Sequence, residues 1–205
     1  MKEKELIKLE HLSILEINGK GSFELLQGQI TSDMDKVNDD NCVIGSICDI
    51  KGRVVCSFIV AKNEKENNSF ILVGETKALE ATLTILKKYK PFYDCSLRKR
   101  EDIKFYAIEE DCLINDFPET KLDISLQKYG SFIRLHYLEK KYHLIAFTKS
   151  EEFKGYTFTS NKLPWELDEI TNQNFEITSE VINRFTPHEL GYHLNTRIDF
   201  EKGCY

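Results

Sequence analysis

Along the first eighteen residues the apolar positions fall on strand-like spacing. In the stretch LIKLEHLSILEIN, Leu6 to Asn18, charges interrupt Leu12, Ile14 and Ile17 too often for a signal peptide or a membrane span. The next stretch, GKGSFELLQGQITSDMD, changes period: Ser22 is placed to cap a short helix carrying Phe23, Leu25 and Leu26 before Gly28. CVIGSICDIKGRVVCSFIVA then predicts two strands joined by a turn around Asp49 to Arg53, with β-branched residues on both sides. From Thr76 to Tyr89, Leu79, Leu83 and Leu86 share one helical face, Lys87 and Lys88 suit a helix C-terminus, and Pro91 blocks continuation. Three short strand candidates follow, IKFYAI, SFIRLHYL and YHLIAF. Near the end, FTPHELGYHL offers Thr186 as N-cap, Pro187 at the first helical position and Glu189 three residues on, which predicts a short helix or helical turn. The pattern is α+β, with no linker and no low-complexity segment.

Composition changes this picture little. A chain of 205 residues with 41% hydrophobic and 30% charged content has room for one large domain or two small ones. The formal charge of -6 argues against a dedicated electrostatic footprint for nucleic acid. No apolar run marks a leader or a membrane segment, so a cytoplasmic location is expected. Cysteines at 42, 48, 56, 95, 112 and 204 form no CxxC pair, and most are expected to be buried thiols in a reducing compartment. His188 and His193, five apart, do not share a helical face as i, i+4 ligands would, so no metal site is expected. The P-loop, the dinucleotide fingerprint and the G-x-S-x-G elbow are absent.

Four stretches taken in order carry more information: NGKGSFELLQGQITSDM, CDIKGR, LKKYKPF and FTPHELGYHLNTRIDFEKGCY. Together they resemble the YgfZ-type folate-binding proteins, relatives of the glycine-cleavage aminomethyltransferase implicated in iron–sulfur protein maintenance and tRNA modification. The resemblance covers essentially the whole chain, and L-Q-G-Q-x-T and K-G-C-Y are its specific elements. It implies one folate-binding domain over residues 1–205, an α+β core of two related, interleaved halves around a central opening. The family signature runs on as K-G-C-Y-x-G-Q-E into a small β-barrel, so a truncated chain without the barrel is expected.

The same resemblance suggests site residues. Trp165, twenty residues before Phe185, matches a family tryptophan associated with folate; it stacks on a pteridine or is simply core. Lys51 and Arg53 either hold the anionic glutamate tail or decorate a solvated turn. Gln27 and Gln29 either contact the pteridine edge or satisfy backbone groups at a helix end. Lys202 favours the thiolate of Cys204, the functional thiol the family motif implies. The implied cofactor is tetrahydrofolate or a one-carbon derivative; the implied partners are iron–sulfur enzymes such as tRNA-modifying proteins.

Departures from the family pattern set the alternatives. Gly21 stands where an aspartate is common, Leu12 where some members carry a second tryptophan, and NQNF, residues 172–175, replaces an A-G-x-P element. A ligand-free interaction module is therefore one alternative. Aminomethyltransferases carry adjacent aspartates where this chain has Cys56 and Ser57, and neither side chain replaces a carboxylate at a reacting nitrogen centre. Transferase activity is accordingly disfavoured.

Overall fold

The computed structural model describes residues 4–39, 41–63, 68–109, 123–127, 130–134, 142–147, 156–174, 176–195 and 197–203. The chain divides into two compact units, each built from two separated segments: Met1–Leu12 with Glu101–Asn174, and Ser13–Arg100 with Phe175–Tyr205.

The opening strand region splits. Strand β1 (Lys4–Lys8) belongs to a six-stranded sheet, and β2 (Leu12–Asn18) to a five-stranded one. Between them the Leu12 amide donates to the Leu9 carbonyl, a turn that the strand-like spacing of the apolar residues does not announce. In the first unit, β1 pairs in parallel with β11 (Tyr156–Thr159) and antiparallel with β7 (Lys104–Glu109). Next to β7 come β10 (Tyr142–Phe147), β9 (Gly130–Arg134) and β8 (Asp123–Gln127), all antiparallel. Leu6, Ile7, Phe105, Ile108, Leu144 and Ile145 are buried. Helix α3 (Leu163–Thr171) is not signalled by periodicity; its Pro164 sits in the first turn, where a missing N–H costs nothing.

The second unit holds the sheet β3-β4-β5-β2-β6, with β3 (Val43–Cys48), β4 (Val54–Lys62), β5 (Ser69–Glu75) and β6 (Ser96–Arg100). Strands β3 and β4 form the expected hairpin, with a register shift at Ile47/Cys48. Helix α2 (Thr76–Tyr89) matches its predicted bounds, buries Leu79 and Leu86, and is capped by the Glu75 carboxylate on the Ala78 amide at 2.7 Å. Burying two leucines contributes roughly 3–6 kcal/mol, more than helix propensity alone supplies over this length. Helix α1 (Ser22–Gln27) exists, but Ser22 is not its cap: the residue before it is Gly21, and Ser22 Oγ donates to the Asn68 carbonyl at 2.7 Å. Gly19, at φ 129°, lies so close to the backbone of Asp94 that a Cβ would sit 2.5 Å from its carbonyl oxygen.

The predicted capping box closes, with the Thr186 amide donating to Glu189 Oε2 at 2.7 Å and the Glu189 amide to Thr186 Oγ1 at 3.3 Å. Beyond the box the backbone runs as a series of turns rather than a helix. This return segment packs on the sheet through buried Ile177 and Tyr192 and exchanges backbone hydrogen bonds with β4: Val54 N to Phe185 O at 2.8 Å and Asn183 N to Val54 O at 2.9 Å.

Thr31 fastens the segment at its far end. Its amide donates to the Ser46 carbonyl at 2.8 Å, its carbonyl accepts from the Asp199 amide at 2.9 Å, and its buried hydroxyl accepts from the Ser46 amide at 2.9 Å while donating to the Arg197 carbonyl. Cys42, Cys56 and Cys95 are buried and Cys48 is half-buried, in line with the expectation that most of the cysteines are buried. Thr31→Val keeps the volume and removes the hydroxyl, so urea unfolding should register a loss of about 1–3 kcal/mol. Thr84→Val, on the exposed face of α2, should change stability by less than about 0.5 kcal/mol.

Candidate functional site

The β3–β4 turn has a fixed shape because Asp49 Oδ1 accepts from the amides of Lys51 at 2.8 Å and Arg53 at 2.9 Å. Gly52 supplies the left-handed backbone, φ 72°, that closes it. The turn pushes Ile50, 98% exposed, and Lys51 outward.

Beside it lies a cleft of about 730 Å³. One wall is the chain after α1, from Gly28 to Thr31; another is the turn itself, Cys48 to Gly52. The end of α2 contributes Ile85, Lys88 and Tyr89. The return segment contributes Thr186 to His188, then Ile198 and Phe200. Each of the four motif stretches of the sequence thus reaches this one cleft.

The anticipated site residues separate into groups. Gln29 and Lys51 line the cleft. Gln27 does not line it: its Nε2 donates to Asp33 Oδ1 at 2.9 Å and its Oε1 accepts from the Met34 amide at 2.8 Å, so both ends of the amide serve the loop after α1. The Arg53 guanidinium donates to the Arg184 carbonyl and ties the hairpin to the return segment. Lys202 Nζ donates to the carbonyls of Gln27 and Ile30 at 2.7 Å and of Ser32 at 3.1 Å. Partial burial lowers its pKa, against the opposing pull of Asp33 and Asp199. Trp165 belongs to the other unit, where it is 6% exposed and packs edge-on to Tyr142, ring centroids 6.5 Å apart. Cys204 lies outside the described residues.

Lys88, Tyr89, His188 and Phe200 also line the cleft; they fall within two of the motif stretches, but nothing in the sequence sets them apart from their neighbours there. Lys88 reads in sequence as a helix-end cation, a role it also fills. His188 and His193 lie in a series of turns rather than in a helix, and there a spacing of five brings their rings to 4.5 Å. Among the described residues, no group of three or more His, Cys, Asp or Glu is placed to hold a metal ion.

Cys56 and Ser57 sit on β4 in a closed setting. Burial pushes the Cys56 thiol far up, and its Sγ donates to the Ser57 carbonyl at 3.3 Å. Ser57 Oγ accepts from the Ile177 amide at 3.4 Å, and burial pushes the Tyr192 hydroxyl up, with Arg197 and Ser57 pulling the other way. The Arg197 guanidinium lies 4.8 Å from the centre of the Tyr192 ring. Cys48, at the cleft, has its thiol pushed up to about 11 by burial and then by Asp49, so it is a poor nucleophile near neutrality.

Lys202→Met retains the stem and deletes the three-carbonyl contact. Thermal or urea unfolding should show a loss of about 1.5–3 kcal/mol, with amide exchange accelerated first between residues 28 and 34.

No family model matches the chain. The tRNA-modifying protein YgfZ of Colwellia psychrerythraea is 27% identical over 99% of this chain and 65% of its own length. The protein of the same name from Aliivibrio fischeri is 24% identical over 97% of this chain and 63% of its own length. The chain therefore spans slightly under two thirds of these relatives. Among solved structures, the glycine cleavage system aminomethyltransferase T from Bartonella henselae aligns with a TM-score of 0.68 at 12% identity, covering 90% of this chain and 55% of that one. The mixed α/β architecture thus resembles the aminomethyltransferase fold, and over nearly its whole length the chain is similar in sequence to proteins named tRNA-modifying protein YgfZ.

Proposed function

We propose that the chain is a tetrahydrofolate-binding accessory protein of the cytoplasm that supports iron–sulfur enzymes and, through them, tRNA modification. The observation that carries this reading is the meeting of all four family-like motif stretches at one cleft. The volume falls in the range of small-molecule sites, and the lining combines aromatic and aliphatic walls with a few polar groups. Tetrahydrofolate or a one-carbon derivative has the matching parts, a flat heteroaromatic system and an anionic tail. Gln29 would supply amide donor and acceptor to the ring edge, and Lys51 a cation to the tail.

Gln27, Arg53 and Lys202 support the site in this reading by holding its backbone. Cys204 is the thiol on which client support depends. A folate-dependent aminomethyltransferase is the weaker alternative, because the Cys56–Ser57 pair is closed off and offers no carboxylate of its own to a reacting nitrogen.

Calorimetric titration with tetrahydrofolate should give saturable binding, weakened about three- to tenfold by Gln29→Ala. No heat up to millimolar ligand would favour the interaction module instead. Trp165→Phe separates stacking from packing: reduced affinity at unchanged stability marks a ligand contact, whereas reduced stability at unchanged affinity marks a core residue. Folate-dependent release of a one-carbon unit from an aminomethyl donor would restore the transferase.

A further inference from the structure

Helix α3, in the first unit, is turned with its aliphatic side chains outward. Leu163, Leu167 and Ile170, spaced i, i+4 and i+7, fall within about 60° of one another around the helix axis. Each is more than half exposed, and no other leucine, isoleucine or valine occurs in the helix. The opposite face carries Trp165 and Asp168, both buried. The usual amphipathic order is therefore reversed, with a carboxyl group inward and the aliphatic stripe in water. The helix cannot roll to correct this without exposing Trp165 and carrying its ring away from Tyr142 on β10. The inward Asp168 is provided for locally, since Asn172 Nδ2 donates to its carbonyl at 2.8 Å and to its Oδ1 at 3.1 Å. Leucines scattered singly over a surface are ordinary, whereas three in one stripe on a helix held in this rotation form a presented face.

Charge decides what suits this face. Glu166 borders the stripe, Glu169 lies beyond it on the same side, and no lysine or arginine occurs between Leu163 and Thr171. Lys162, at the N-cap, is turned toward His11, with Nζ 3.2 Å from Nδ1. A second copy of the chain fits poorly: an antiparallel two-fold pairing of α3 with itself sets acidic flank against acidic flank, and three side chains fall well short of the roughly 800 Å² per partner that a stable interface buries. We propose that the outer face of α3 docks a short amphipathic helix of a partner protein, one with aliphatic side chains at i, i+3 or i+4 and i+7 and with lysine or arginine on the flank that meets Glu166. The overall charge of -6 adds a general attraction for such a segment. This inference stands apart from the folate reading, because α3 belongs to the first unit and the described residues that line the cleft to the second.

The test measures fluorescence anisotropy of three labelled peptides of about 18 residues on the whole chain. One is an amphipathic leucine–lysine helix, the second its leucine–glutamate counterpart, and the third a scrambled leucine–lysine sequence of equal charge without an apolar face. The amphipathic leucine–lysine helix should bind about tenfold more tightly than either of the others. The double variant Leu163→Ser, Ile170→Ser should lose about that factor, whereas Leu194→Ser, at an exposed leucine of the second unit, should change nothing. Glu166→Lys should move the preference toward the leucine–glutamate peptide. All of these positions are exposed, and thermal unfolding of each variant, expected to match the parent, keeps loss of contact apart from loss of fold. Equal binding of the amphipathic and scrambled leucine–lysine peptides, or undiminished binding by the double serine variant, overturns the proposal, and an unchanged preference in Glu166→Lys overturns its basic flank. A monomer–dimer equilibrium abolished by the double variant assigns the stripe to a second copy instead. Adsorption to phosphatidylcholine vesicles, lost in the same variant, assigns it to a lipid surface, and either result overturns the helical partner.

Discussion

Thr31 is the point through which three stretches of the second unit are joined. Its hydroxyl and both backbone groups are occupied by Ser46 on β3 and by Arg197 and Asp199 on the return segment. A side chain that accepts from one strand while donating to another segment, inside a buried setting, leaves little choice of residue: valine has the shape without the hydroxyl, and serine lacks the methyl. The threonine of the L-Q-G-Q-x-T stretch is therefore explained by architecture. Once it is in place the return segment is held against the hairpin, Ile177 and Tyr192 complete the core, and the cleft acquires its last wall from Thr186 to Phe200.

The motif residues divide by distance from the cleft rather than by polarity. Gln27 and Gln29, two positions apart, have different tasks. The first is spent on the loop that follows α1, and the second faces the cleft. Lys51 and Arg53 divide in the same way, one at the cleft and one fastening Arg184. A polar side chain in a family motif is as readily a brace as a contact, because backbone groups in an irregular loop need partners wherever water is excluded.

The range of each interaction decides how much of this is legible in the sequence. Helix α2 can be read to its ends because its signals are local: the leucine spacing, the terminal lysines and Pro91 all lie within sixteen residues (91 − 76 + 1). The β3–β4 turn is equally readable, since Asp49 bonds two and four residues ahead. Ser22 misleads because its true partner, Asn68, is 46 positions away. Lys202 cannot be assigned from its surroundings in the chain, as the carbonyls it gathers lie 170 to 175 positions earlier. The closeness of the histidine rings is hidden for a different reason: a helical period does not apply to a segment that Gly191, at φ 68°, turns instead.

The Lys202 contact places a tethered cation where many loops recruit a free one. Carbonyl oxygens from Gln27, Ile30 and Ser32 converge on a single ammonium, much as loop carbonyls converge on a bound alkali or alkaline-earth ion. Because this cation is covalently part of the chain, the loop's order is indifferent to ionic supply and to chelators. It answers instead to the position of the backbone that carries the lysine, so a pull on residues 199–203 is felt directly at the loop that bears Gln29.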